Sequence, residues 1–282
     1  MSDTSVSESF VTEISGLPRD IAGFRRTMDR YAVCVIRNPK PVSDAEHVEF
    51  SRKLGPLLPM KMLTMVGKSK SRFAFPELID IGNIDAEGRL LPDDDRRRAY
   101  NRGNLLWHTD ASYDQQRGLY SLLSCHSVPP GGADTEFADM RAAYEALPES
   151  LKAKIGNLVA EHSIWHSRAL AGMTDVSDQE KAARPAARHP LVSRHAGSGR
   201  KVLYIASHAS HIVGMPVEEG RKLIRELLDA ATRPQFIYRH KWRVGDLVVW
   251  DNTQTMHRGT PFDDTRYPRD MRRTTVIEEA AA

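Results

Sequence analysis

Asn104-Leu105-Leu106-Trp107-His108-Thr109-Asp110-Ala111-Ser112-Tyr113 is the stretch around which the rest of the chain is organised. In an extended conformation successive side chains point to opposite faces, so His108 and Asp110 project together and Thr109 points away. A neutral imidazole beside a carboxylate offers two of the three ligands of a 2-His-1-carboxylate metal site. The tripeptide alone is common by chance and reads equally well as a surface turn. Its weight comes from residues far downstream.

A chain of 282 residues has room for a sizeable core, and no linker, repeat or low-complexity segment divides it, so a single domain over 1–282 is expected. A hydrophobic content of 40% with 27% charged residues is that of a globular protein in water. The net charge of +3 is too small to argue for nucleic acid, and the basic clusters, such as Arg96-Arg97-Arg98, read as solvated faces. The N-terminus is polar and acidic without an apolar core, and no run approaches the ~18 apolar residues of a membrane span. Cys34 and Cys125 stand apart, giving neither a zinc motif nor a disulfide framework. The expected setting is cytoplasmic, with no nucleic-acid or membrane partner, and a homo-oligomer is left open.

Helical spacing joins Ile21, Phe24 and Met28, and the apolar run 31–36 reads as a buried strand. Ser43 to Glu46 is a capping box opening a helix that Gly55-Pro56 ends. Residues 57–103 give little order beyond a strand at 78–81, and their acidic-basic stretch 92–98 is expected in solvent. With 163–195 they are read as loop or lid insertions. Further strands are expected at 119–128, 201–206, 235–239, 246–250 and 274–277, with helices after Asp139, after Pro148 and over 217–231. Many short strands with a few segregated helices point to a β-rich α+β protein, a β-sandwich or jelly roll flanked by helices.

The strand 246–250 runs into Asp251-Asn252-Thr253-Gln254-Thr255-Met256-His257, where His257 stands as a third ligand. Beyond it, Arg269-Asp270-Met271-Arg272-Arg273 begins the last strand. Alternation puts Arg269, Met271 and Arg273 on one face and Arg272 on the other. Two arginines facing an interior need anions, and their planar forks suit carboxylates. A dicarboxylate co-substrate and a second acidic substrate follow.

These pieces together resemble the taurine/2,4-dichlorophenoxyacetate branch of the Fe(II)/2-oxoglutarate-dependent dioxygenases. The match runs from His108-Thr109-Asp110 through Pro129-Pro130-Gly131-Gly132-Ala133-Asp134-Thr135 and Trp250-Asp251-Asn252 to His257 and the Arg269-X-Met271-X-Arg273 register. The helix from Asp139 and the segments 195–201 and 207–211 resemble the dichlorophenoxyacetate member most. The resemblance implies a double-stranded β-helix core, a cupin-like jelly roll, in which His108, Asp110 and His257 hold Fe(II) and are the catalytic centre. It implies that Arg269 and Thr135 bind 2-oxoglutarate, that O₂ is consumed, and that succinate and CO₂ are released. Arg273 then meets the acid group of the substrate, Asn104 is a substrate-side residue, and Lys61 is the candidate for a substrate-side lysine. Residues 57–70 match neither relative closely, and the segment between His257 and Arg269 is one residue longer than in the taurine enzyme.

The favoured substrate is an aryloxyalkanoate-like acid whose ether bond breaks after hydroxylation; an alkylsulfonate is the alternative. A non-catalytic jelly-roll binding protein would not need Asp110 beside His108. A zinc hydrolase on the same barrel would not need Arg269 and Thr135.

Overall fold

The computed structural model describes residues 9–58 and 71–279. Its elements in order begin with β1 (Val11–Ser15), α1 (Ile21–Tyr31), β2 (Val33–Arg37), α2 (Asp44–Lys53) and β3 (Ile79–Asp80). Next come α3 (Arg96–Asn101), β4 (Gly118–Ser127), β5 (Thr135–Asp139), α4 (Met140–Glu145) and α5 (Glu149–Ile155). The middle of the chain supplies β6 (Val159–His162), α6 (Ile164–Leu170), α7 (Asp178–Ala183), β7 (Ala187–Pro190), β8 (Val192–Arg194), β9 (Lys201–Leu203) and β10 (Ala209–Ile212). Helix α8 (Val217–Ala231) precedes β11 (Ile237–His240), β12 (Leu247–Asp251), β13 (Thr255–Gly259) and β14 (Asp270–Ile277).

Period-2 alternation decides how these strands stack. The large sheet has the order β1-β2-β12-β4-β14-β3. One of its faces presents Val33, Val35, Leu123, Cys125, Val248, Trp250 and Met271, which pack on Phe137 of β5. The residues between them, Cys34, Ile36, Leu122, Leu247, Val249 and Val276, cover the other face and pack under Phe24 and Met28 of α1 and Phe50 of α2. Cys34 is thus a small buried hydrophobe, as its sequence context suggests. Opposite the inner face lies the sheet β11-β5-β13. Its far side carries Ala138 and Met256 into a third cluster with Leu223 and Leu227 of α8. A residue on the inner face of either sheet therefore looks into the space between them.

Several expectations hold closely. Helix α8 spans 217–231 and the Ser43/Glu46 capping box is complete on both sides. Arg272 points outward, paired with Asp44, while Met271 is fully buried on the inner face. Others need correction. Arg98 is not solvent-facing: α3 sinks it to 8% exposure, where Asp93 and Asp264 neutralise it. The polar region 163–195 is not only loop, because Ser163 and the Ser177/Glu180 capping box start α6 and α7, and β7 and β8 follow. The strand expected at 201–206 pairs only over Lys201–Leu203. A turn over 252–254 joins β12 to β13, and His257 lies within β13.

Beside α6, His162 is fully buried, stacks on Tyr204 at 5.8 Å and meets the edge of His189 at 5.4 Å. Neither ring nitrogen has a hydrogen-bond partner among the described residues, and burial holds its pKa down to about 3. Because the folded pKa lies below the unfolded value near 6.5, the unfolded chain binds the extra proton. Stability is therefore lost as pH falls from about 6.5 towards 3. In His162→Phe, the stability lost between pH 7 and pH 5, read from urea midpoints, should shrink by on the order of 2 kcal/mol. An unchanged pH slope would show that His162 takes up its proton in the folded state.

Candidate active site

The chain reaches His108 through a 3₁₀ turn over Arg102–Leu105. The backbone of His108 then exchanges two hydrogen bonds with His257 of β13: its N–H donates to the His257 carbonyl at 2.9 Å and its carbonyl accepts from the His257 N–H at 2.7 Å. In such a pair the two side chains stand on one face of the sheet. The ring centroids are accordingly 4.2 Å apart. Asp110 follows two residues on, at the same face, and Ala111 beyond it adopts a left-handed φ of +58° that turns the chain away.

The three side chains converge. His257 Nε2 lies 3.7 Å from Asp110 Oδ2, and His108 Nε2 lies 4.0 Å from Asp110 Oδ1. One donor atom from each falls within 4.8 Å of the others, and all three residues are buried. Two metal–ligand bonds of about 2 Å each span such separations. His108 Nδ1 sits 2.7 Å from the Leu106 carbonyl, which fixes its proton there and leaves the Nε2 lone pair for a metal. Burial keeps His108 near a pKa of about 4 and His257 well below the ordinary histidine value, so both rings are neutral, the form that can bind a metal. For Asp110, burial is the largest single influence and works against ionisation, but the Arg273 guanidinium, the two neighbouring histidines and the Ser121 hydroxyl together outweigh it and hold the pKa at about 2. Two neutral imidazoles and a carboxylate, with no thiolate, form a donor set that fits Fe(II).

A short polar chain sets the carboxylate. Asn252 Oδ1 accepts from the Asp110 N–H at 3.1 Å and from Trp250 Nε1 at 3.0 Å. Its Nδ2 donates to Ser121 Oγ at 2.9 Å, and Ser121 donates to Asp110 Oδ2 at 2.7 Å. The sequence reading missed Ser121. Its signal was present, since alternation along β4 places it on the inner face with Leu123. Trp250 is fully buried and packs its ring 4.6 Å from that of His257.

A cavity of about 310 Å³ opens beside these groups, bordered by His108, His257, Thr135, Asn104, Arg269 and Arg273. Arg269 Nη1 donates to the Ile81 carbonyl at 2.7 Å, and no acid pairs with it among the described residues. Its Nε has no partner, and burial lowers its pKa to about 10. A guanidinium so placed is a ready anion site. Thr135, across the cavity, accepts from Trp242 Nε1 at 3.0 Å, which leaves its own hydroxyl proton to donate. Arg273 is on the same face as expected but reaches Asp110 Oδ1 at 2.5 Å. Asn104 lies in the 3₁₀ turn at the cavity wall; Lys61 falls outside the described residues. His208 packs its ring 5.9 Å from that of His108 and bonds Ser112 at 2.9 Å, whereas the half-buried His211 bonds Ser210 at 3.0 Å. His195 pairs with Asp251 at 3.1 Å in the network behind the site.

Comparison with known proteins agrees with this geometry. The family model described as taurine catabolism dioxygenase TauD, TfdA family matches residues 10–275. An alpha-ketoglutarate-dependent 2,4-dichlorophenoxyacetate dioxygenase of Cupriavidus pinatubonensis is 45% identical over 93% of this chain and 90% of its own. An (S)-phenoxypropionate/alpha-ketoglutarate-dioxygenase of Sphingobium herbicidovorans is 36% identical over 78% of this chain and 74% of its own. Among solved structures, AAD-2 in complex with Mn(II) and N-oxalylglycine superposes with a TM-score of 0.91 at 40% identity, over 96% of both chains. The chain therefore belongs to the taurine catabolism dioxygenase TauD, TfdA family, and is a dioxygenase dependent on Fe(II), 2-oxoglutarate (alpha-ketoglutarate) and O₂.

Proposed function

We propose that this chain hydroxylates an aryloxyalkanoic acid at the carbon joined to the ether oxygen. In this reading His108, Asp110 and His257 hold the iron, Arg269 and Thr135 hold 2-oxoglutarate, and Arg273 and Asn104 face the substrate. The reading is carried by one observation: two neutral imidazoles and a carboxylate beside a buried Arg269 that no acid of the described chain neutralises. The identity to aryloxyacid dioxygenases supports the substrate class. The two facing sheets, with the site between them, are read as a double-stranded β-helix core within one domain. Among the described residues no helix is long and apolar enough to cross a membrane.

Bound Fe(II), with 2-oxoglutarate and O₂, supplies the oxidising power: the co-substrate becomes succinate and CO₂, and one oxygen atom enters a C–H bond of the substrate. The protein's part is placement. Arg269 donates its free N–H edge to the distal carboxylate of 2-oxoglutarate, and the Thr135 hydroxyl donates beside it. Ser121 and Asn252 hold the Asp110 carboxylate in one orientation, and Leu106 holds His108 in one tautomer. Trp250 and Phe137 pack on His257 and keep water from that side of the metal. Hydroxylation beside an ether oxygen gives a hemiacetal, which collapses to a phenol and a carbonyl acid.

The direct test is succinate release by the Fe(II)-loaded enzyme offered 2,4-dichlorophenoxyacetate, 2-phenoxypropionates and taurine. Phenol formation with the aryloxy acids is expected. Stimulation by taurine alone would replace this reading with an alkylsulfonate one.

Arg269→Ala removes a charge-assisted contact in a desolvated wall, a loss of about 2–5 kcal/mol. The KM for 2-oxoglutarate should rise more than tenfold, at about 1.4 kcal/mol per decade. An unchanged KM would remove Arg269 from the co-substrate site.

For Arg273→Gln two effects are expected together. The substrate acid should bind more weakly and sit loosely, so that succinate exceeds phenol product. Metal affinity should also change, because Asp110 loses the guanidinium that keeps it ionised. Coupled turnover with unaltered metal affinity would contradict both roles.

A further inference from the structure

Past the end of β3 the chain stays beside β14. The Ile81 N–H donates to the Met271 carbonyl at 3.0 Å, and the Asn83 N–H donates to the Arg269 carbonyl at 3.2 Å. Ile81-Gly82-Asn83 therefore lies against the residues that open β14, and each of the three touches Arg269. The Ile81 carbonyl accepts from Arg269 Nη1 at 2.7 Å. Gly82 comes so close that a Cβ there would lie 2.5 Å from the Arg269 carbonyl oxygen, which only glycine avoids. All four residues border the cavity.

Asn83 does the most. It is buried to 7% exposure and ties down both backbone groups of Arg269. Its own N–H meets the carbonyl, and its Oδ1 accepts from the Arg269 N–H at 2.7 Å. Its Nδ2 donates to the carbonyls of Asp264 at 2.9 Å and Tyr267 at 3.0 Å, in the segment that leads into Arg269. An amide with its oxygen on an N–H and its nitrogen on two carbonyls has a single orientation.

We propose that Asn83 is a positioning residue for the co-substrate, fixing where the Arg269 guanidinium stands and so setting the chain length of the 2-oxo dicarboxylate the site accepts. The assignment rests on the reading of Arg269 as the partner of the distal carboxylate. A forked contact with a carboxylate demands one distance and one plane, and a displacement of about 1 Å at such a contact is costly. An arginine free to slide would follow a longer acid. Arg269 is held at its N–H, its carbonyl and its Nη1 by one neighbouring segment, so it keeps its place.

The test titrates the Fe(II)-loaded enzyme by anaerobic calorimetry with 2-oxoglutarate and with 2-oxoadipate, which is one methylene longer. The wild type should prefer the shorter acid. Asn83→Ala should weaken 2-oxoglutarate at least fivefold and 2-oxoadipate less than twofold, so the preference narrows. In an Arg269→Ala background the same change should weaken 2-oxoglutarate less than twofold further, because the two residues act through one contact. Asn83→Asp keeps the acceptor for the Arg269 N–H but turns an oxygen on the two carbonyls. It should narrow the preference in the same sense, which covers the case in which Asn83→Ala does not fold. Equal weakening of both acids, full additivity with Arg269→Ala, or a wild type indifferent to chain length overturns the assignment. If Arg269→Ala binds 2-oxoglutarate as the wild type does, the co-substrate reading falls and this one with it. If Arg269→Ala loses affinity while folded Asn83 variants keep the wild-type preference, this assignment alone falls.

Discussion

Two backbone hydrogen bonds between His108 and His257 are the constraint on which the site depends. They join a turn-flanked segment from the middle of the chain to β13 near its end. They also settle what side chains alone cannot, namely that both imidazoles leave the backbone on one face and at one level. Asp110 then arrives by the two-residue repeat of an extended chain. The candidate metal site is in this sense a piece of sheet geometry. Its precision comes from ladder hydrogen bonds and from Phe137 and Trp250 packed beneath His257, with no need for a rigid loop.

The second constraint is charge. At the inner face of the large sheet, β14 brings Arg273, and the residue just before it, Arg269, to the same cavity, and β4 brings Ser121. Ser121 and Arg273 divide the oxygens of Asp110 between them, one on Oδ2 and one on Oδ1. The carboxylate therefore stays ionised despite burial, and its orientation is set by the sheet. The imidazoles go the other way: burial keeps them neutral, which is the form that binds a metal. One environment drives acid and base alike into their ligating states, since Arg273 favours the anion and disfavours a second cation.

Much of this was legible in the sequence where a local rule and a tertiary role coincide. The alternation of Arg269, Met271 and Arg273 against Arg272 holds because β14 is buried on both faces, so a register slip would bury Arg272. Helix α8 and the Ser43 capping box are read from periodicity and cap chemistry. What escaped has a physical reason in each case. Arg96-Arg97-Arg98 looks like a solvated run, yet Arg98 is buried because Asp93 and Asp264 converge on it from distant positions. Helix α7 is a six-residue element whose signal is one capping box in a polar stretch. Strand β13 is short, and its pairing with β5 rests on long-range contacts that periodicity cannot register. Ser121 carried no chemistry until Asn252 and Asp110 were brought beside it.

The groups that make the site useful are the ones that cost the fold most. Arg269 lines the cavity without an acid among the described residues, and burial holds His108 and His257 below their usual basicity. The unpartnered Nε of Arg269 and Nδ1 of His257 depart from the rule that buried charges are paired and buried polar atoms bonded. The fold tolerates them because they gather at one place, while the apolar faces of β2, β4 and β12 form a continuous core around them. A ligand that supplies the missing anion binds the folded state and has no counterpart in the unfolded chain, so its binding energy adds directly to stability. In the reading proposed above, the same unmatched charge that costs the fold stability would give the site its affinity for an acid.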